Sequence, residues 1–232
     1  MSNRCPILPT CLLSSYCRSI NANSTSFPTF ENYKKGQRIN ANTDKTTYVI
    51  VSGIGKATFS LGCNEILDII LLGKKQVFGE HLPFIQERIS VEFWALTDIC
   101  VCKIPSAGLR KYARQNSLLL FDIVKASGSN YSASLSIRWI KNAPKLFEQT
   151  LRLLIVINAI SAEYPQDPIR LTHDDIALIL NADRSSVSLA LEKLRQEGIV
   201  EIGYRKICLK DSFAYHKLKQ ELKSISETTY SL

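Results

Sequence analysis

The stretch THDDIALILNADRSSVSLALEKLRQEGIVEIGYRKICL, residues 172–209, decides how the last third of the chain folds. Thr172, followed three residues on by Asp175, is close to a capping box, so a helix begins at His173. That helix buries Ile176, Leu180 and either Leu178 or Ile179. Asn181-Ala182 make a tight turn, and Asp183 stands where a carboxylate caps a second helix. In the second helix Val187, Ala190, Leu191 and Leu194 recur at i, i+3, i+4 and i+7, one buried stripe. Gly198 stops it as a left-handed C-terminal cap. Residues 199–202 and 206–209 then pair as a hairpin around Gly203-Tyr204-Arg205. Two short helices, a tight turn and a following hairpin make a winged helix-turn-helix.

A second helix of this kind lies in a major groove and reads bases with its first two turns. The residues left facing outward are Arg184, Ser185, Ser188, Leu189 and Glu192, with Ser186 and Thr172 at the flanks. Arg184 can hold a guanine through two parallel hydrogen bonds, worth about 1–3 kcal/mol of discrimination. Ser185 and Ser188 suit a base edge or a phosphate, and Leu189 suits a thymine methyl. Arg205 and Lys206 sit where a wing meets phosphates, which hold register while base contacts choose sequence. Double-stranded DNA is the partner this pattern points to.

The chain has 232 residues, enough for two ordinary domains, and a formal charge of +8 that suits a polyanionic partner. The charge is unevenly placed. Residues 169–232 hold 10 Lys and Arg against 9 Asp and Glu, whereas residues 1–168 hold 19 against 12. Charge alone would therefore not have found the reading module. No run of about 18 uncharged apolar residues occurs, so no membrane-spanning helix is expected.

Upstream, YVIVSG, KATFSL, EILDIILLG, QVFGE, ISVEFWAL and ICVCKIP, between Thr46 and Pro105, read as short strands separated by turn glycines. Strands this short and evenly spaced argue for a rolled β-sandwich or barrel. After Pro105 the period changes. Phe121, Val124, Gly128, Tyr131, Leu135 and Arg138 alternate steps of three and four, a coiled-coil seam. The seam suits either a partner helix in a homodimer or the chain's own sheet. Pro144 then breaks the chain as a hinge, and a buried helix runs from about Lys145 to Glu163. The first 30 residues carry Arg4, Arg18, many Ser, Thr and Asn, and no acid, as in a transit peptide or a flexible arm. The expected organisation is a flexible arm over residues 1–30, a β-roll over 31–115, a dimerisation helix over 116–142, and a DNA-binding domain with a C-terminal tail over 143–232.

Seven scattered cysteines fit a reducing compartment. Cys5, Cys11 and Cys17 recur every six residues, and Cys100-Val101-Cys102 lies in an apparent strand. An iron–sulfur or redox role would need them to converge in space; otherwise they are ordinary thiols.

With LLGKKQVFGE, LTHDDIALILNADRSSVSLAL and RKICLKD in that order, the chain resembles the CRP/FNR family of transcription regulators over roughly residues 30–215. It looks closest to the global nitrogen regulators of cyanobacteria and of red-algal plastid genomes. The resemblance implies an α+β fold with a cyclic-nucleotide-binding-like jelly roll, a long dimerisation helix and a winged helix-turn-helix. It also implies a homodimer on a palindromic site, contact with RNA polymerase, and a place in bacterial cytoplasm or plastid stroma. Arg184 matches the family's base-reading arginine. Leu189 stands where the family has a second arginine, so the usual operator does not carry over. Phe78-Gly79-Glu80 matches the effector pocket, with Arg88 and Ser90 in the place of its anion-holding pair, and the effector implied is 2-oxoglutarate or a cyclic nucleotide. An empty, ligand-independent roll is the alternative, as is redox control.

Two other classes are open to the residues. A metal-dependent β-barrel enzyme needs histidines gathered with a carboxylate, and the chain offers His81, His173 and His216. A protein-binding adaptor would use the winged helix on another protein; outward Arg184, Ser185 and Ser188 speak against it. Neither an enzymatic site nor a metal site is expected.

Overall fold

The computed structural model describes residues 5–20, 27–39, 46–61, 65–84, 89–161, 167–204 and 206–227. They form two compact units, residues 1–133 and 134–232. The division falls inside one long helix, upstream of Pro144.

The first unit is the roll. Its strands are β1 (Thr29–Tyr33), β2 (Arg38–Ile39), β3 (Thr47–Ser52), β4 (Gly55–Leu61), β5 (Glu65–Leu72), β6 (Val77–Phe78), β7 (Ile89–Ala95) and β8 (Ile99–Ile104). They build two antiparallel four-stranded sheets, ordered β1-β8-β3-β6 and β2-β7-β4-β5. Tyr48, Ile50, Phe78, Phe93, Ile99 and Val101 form the cluster between them. Val49, Val51, Val77, Cys102 and Ile104 point the other way into a second cluster. Both faces of β3 are thus covered, which is why YVIV reads as a continuous apolar run rather than an alternating one. Gly55 permits the tightest approach: a Cβ there would lie 1.9 Å from the Phe93 ring.

Helices α1 (Ser14–Ser19), α2 (Ser106–Ala113) and α3 (Ser117–Lys141) supply the second cluster through Tyr16, Leu109, Ala113, Leu119, Ile123 and Ala126. Fully burying a side chain such as Leu119 contributes about 1.5–3 kcal/mol. Within the expected flexible arm of residues 1–30, the segment 5–20 is packed rather than loose. Residues 5–20 include a 3-10 turn (Leu8–Thr10) and α1, and they bury Ile7, Leu13, Tyr16 and Ile20. Tyr16 meets Tyr112 of α2 edge-on at 5.8 Å. Ser15 donates to the Asp122 carboxylate of α3 from its hydroxyl at 2.5 Å and its amide at 3.3 Å, and Asn116 donates to Ser19 at 2.7 Å. The polar composition is spent on long-range bonds that no local pattern reveals.

The second unit holds the end of α3, then α4 (Leu146–Ser161), α5 (His173–Leu180), α6 (Arg184–Gln196), the hairpin β9 (Val200–Gly203) and β10 (Lys206–Leu209), and α7 (Phe213–Glu227). α4 is the buried helix expected, with Leu151, Leu153, Leu154, Ile155, Val156 and Ile157 all inside. The expected C-terminal tail is instead a fifteen-residue helix that buries Tyr215 and Leu222. Trp139, in the last turns of α3, ties three helices together. Arg152 of α4 lies 4.7 Å from its ring and donates to its carbonyl at 2.5 Å. The indole N–H donates to Glu221 of α7 at 3.3 Å.

Candidate nucleic-acid interface

α5 starts where Thr172 predicts. The Thr172 hydroxyl accepts from the Asp175 amide at 3.2 Å, and the Asp175 carboxylate accepts from the Thr172 amide at 2.7 Å, a complete capping box. The Thr172 hydroxyl also donates to that carboxylate at 2.7 Å. The hydroxyl expected at the DNA is therefore spent on the helix cap. Asn181 ends α5 in the left-handed conformation at φ 53°. Ile179 takes the inner position and Leu178 stays exposed.

α6 runs from Arg184, and its buried residues are Val187, Ala190, Leu191 and Leu194, the stripe read from the sequence. Asp183 occupies the N-cap position with extended backbone, but its side chain makes no capping bond. It is exposed, and its carbonyl accepts from Val187 at 3.0 Å. The far end closes as expected. Gly198, at φ +72°, donates to Arg195 at 3.0 Å and Ile199 donates to Leu194 at 2.9 Å, a Schellman arrangement.

The outer face of α6 presents Arg184 and Leu189, which is 73% exposed, with Ser185 exposed and Ser186 half-buried beside them. Ser188 is not a free hydroxyl: it donates to the Arg184 carbonyl at 2.9 Å and lies 2.8 Å from Nδ1 of His173. Arg184 Nε lies 3.5 Å from the Asp174 carboxylate. One turn on, Arg195 donates two bonds to Glu192, at 2.8 and 2.6 Å, and these hold that carboxyl below its usual range. Glu192 is thus neutralised by its own helix. Lys206 is exposed at the start of β10, and Arg205 lies outside the described residues. His173 and Asp174 join the candidate face although sequence reasoning did not place them there. Spacing could not show it, because Ser188 is fifteen residues from His173.

On α3, Phe121, Val124 and Tyr131 are 55%, 67% and 62% exposed, while Gly128 and Leu135 are half-buried and Arg138 exposed. Lys125 covers part of the Phe121 ring at 4.7 Å. Large apolar side chains are thus left exposed along one helix.

In the roll, Phe78 is buried and stacks between Tyr48, at 4.8 Å, and Phe93, at 3.9 Å. Gly79 takes φ +73°, and Glu80 is buried at 2% exposure. Its carboxylate accepts from Ser127 and Asn130 of α3. Arg88 and the Ser90 side chain lie outside the described residues.

His81 belongs to the first unit, and His173 and His216 to the second, where His216 pairs with Asp211. Among the described residues no group of three or more His, Cys, Asp or Glu is placed to hold a metal ion. Cys5, Cys11, Cys17, Cys100 and Cys102 do gather at one core, where burial pushes the Cys11 and Cys17 thiols up to about 11 and about 12. Among the described residues no helix is long and apolar enough to cross a membrane.

Residues 150–214 match the Crp-like helix-turn-helix domain. No curated protein matches the chain. Among solved structures, FixK2 from Bradyrhizobium japonicum is 19% identical, with a TM-score of 0.63 over 85% of this chain and 96% of that one. TTHB099, a CRP-family transcriptional regulator from Thermus thermophilus, is 18% identical, with a TM-score of 0.63 over 82% and 96%. TTHA1359, a CRP/FNR-family transcriptional regulator of the same organism, is 21% identical, with a TM-score of 0.58 over 86% and 98%. The chain has the CRP/FNR fold: a β-rich N-terminal domain, a long helix and a C-terminal helix-turn-helix.

Proposed function

We propose that the chain is a CRP/FNR-type transcription regulator that binds a palindromic DNA site as a homodimer and contacts RNA polymerase there. The observation that carries the reading is α6, whose inner stripe is fully packed while Arg184, Ser185 and Leu189 stand outside on its first two turns. Arg184 reads a guanine, Leu189 touches a thymine methyl, and Lys206 with Arg205 of the wing holds phosphates. Ser188 serves by fixing His173 beside the same face. The exposed Phe121, Val124 and Tyr131 pack on a second copy of α3, with Gly128 at the closest approach and Leu135 and Arg138 toward the seam's end. Twofold pairing then sets two half-sites about one helical turn, roughly 34 Å, apart.

The regulatory half of the proposal lies in the roll. The roll admits two readings: a small anion such as 2-oxoglutarate, as nitrogen control would require, or a cyclic nucleotide enters beside Phe78, Gly79 and Glu80, with Arg88 and Ser90, or the roll works with no ligand at all. To use Glu80 such a ligand would have to displace Ser127 and Asn130. Control works only through a difference in affinity for two arrangements of the chain.

Selection of duplexes from a random pool at physiological salt tests the reading. The expected winners share an inverted repeat, and Arg184→Ala removes the preference at one base of each half while keeping weak general binding. Equal loss on selected and random duplexes would make Arg184 a phosphate contact instead.

A further inference from the structure

Glu80 is an ionisable side chain taken almost wholly out of water. A buried carboxylate persists only where donors are aimed at it. Here the donors come from the long helix. Ser127 donates its hydroxyl to Oε1 at 3.1 Å, and Asn130 donates Nδ2 to both carboxylate oxygens at 3.0 Å. His81 Nδ1 lies 3.6 Å from Oε1.

The backbone that presents Glu80 is itself held. Gly79 turns the chain in a conformation open to glycine, the Thr47 hydroxyl donates to its carbonyl at 3.0 Å, and Phe78 is pinned in the aromatic stack. A second, longer contact joins Gln76 Nε2 to Ser129 at 3.4 Å. Residues 76–80 thus grip residues 127–130 of α3, from the exposed Ser127 to the buried Ser129 and half-buried Asn130. Phe121, Val124 and Tyr131 stand exposed on the same helix.

Asn130 shows that the arrangement is directional. Among the described residues its Oδ1 is buried with no hydrogen-bond partner, while its Nδ2 serves the carboxylate twice. The amide gives up its acceptor to offer donors to Glu80.

We propose that Glu80 is a positioning residue that fixes α3 from within the roll, so that the DNA-binding state forms without any small molecule bound. The inference rests on the DNA-binding reading above. Glu80 supplies from inside the fold the order along α3 that an effector bridging roll and helix would otherwise supply. The rotation of α3, and with it the presentation of Phe121, Val124 and Tyr131, then follows from one carboxylate and two donors.

The test uses the full chain with all metabolites removed, and reads two things: affinity for the selected duplex, and amide hydrogen exchange along residues 124–133. Glu80→Ala should weaken DNA binding about tenfold or more and speed that exchange by a similar factor, because Ser127 and Asn130 lose the acceptor that ties α3 to the roll. Added acetate should restore both. Asn130→Asp sets two carboxylates together and should do the same damage. Glu80→Gln combined with Asn130→Asp reverses donor and acceptor and should recover most of the loss.

Unchanged affinity and exchange in Glu80→Ala would overturn the proposal, as would a double variant no better than Asn130→Asp alone. Wild-type protein that binds the duplex only with 2-oxoglutarate or cyclic AMP present would also overturn it, leaving the DNA-binding reading intact. Wild-type protein that selects no duplex under any condition would sink that reading, and the exchange experiment would still judge Glu80 on its own.

Discussion

Arg184 and Asp174 face each other with Nε 3.5 Å from the carboxylate, so the guanidinium assigned to a base rests beside an acid when no DNA is present. Both side chains are about two-thirds exposed, so the pair is weak and salt screens it further. Its consequence is selectivity. A phosphate met at random must compete with Asp174, whereas a guanine offers two aligned acceptors. Asp174→Asn should raise affinity for random DNA about two- to fivefold at low salt and leave the selected sequence unchanged. Fluorescence anisotropy on random and selected duplexes measures both.

Tyr16 should carry much of the docking of the N-terminal segment. It is fully buried against Tyr112, in a cluster that includes Leu109 and Leu119. Tyr16→Ala should cost about 3–5 kcal/mol of unfolding free energy, the range for emptying a large aromatic site. Urea denaturation reads it directly. A loose arm would give no change.

The gathered cysteines make a pH prediction. Cys11 and Cys17 rise above the ordinary thiol value of 9.0 because burial disfavours the thiolate. The unfolded chain therefore releases these protons first, so the stability they contribute is whole below pH 9 and is lost as pH climbs to 11 and 12. Thermal unfolding should shift downward across that window. Iodoacetamide at pH 8 should label both sites far more slowly in the folded chain than in urea, since the thiolate is the nucleophile. Equal rates would contradict the burial.

Gly55 is expected to tolerate no side chain. Its added Cβ would lie 1.9 Å from Cζ of Phe93, and Phe93 is stacked against Phe78. Gly55→Ala should destabilise the first unit by about 1–3 kcal/mol through overpacking. A urea midpoint equal to wild type would show that the roll interior yields.

The winged helix was legible because its signals are local. Thr172 and Asp175 cap within one turn, Gly198 stops α6 at a left-handed residue, and the stripe from Val187 to Leu194 repeats every three or four positions. The strands of the roll were legible for the same reason, apart from β1 and β2. β1 has no buried side chain and is held by main-chain pairing to β8, so it carries no hydrophobic period. The docked N-terminal segment escaped notice because Ser15 bonds a residue 107 positions away. The engagement of Glu80 was hidden too, since Gly79-Glu80 marks a turn while its donors lie 47 and 50 residues on. Asp183 shows the converse: a residue of the right type at the right place whose side chain makes no cap.

In the proposed complex, paired α3 helices present the reading helix α6 twice. Sedimentation of the complex with a selected palindromic duplex, at physiological salt, tests it most directly. The predicted result is two chains per duplex, with Phe121→Glu reducing the free protein to single subunits and abolishing the complex. One chain per duplex with undiminished sequence preference, or a Phe121→Glu protein that still sediments as a dimer, would contradict it.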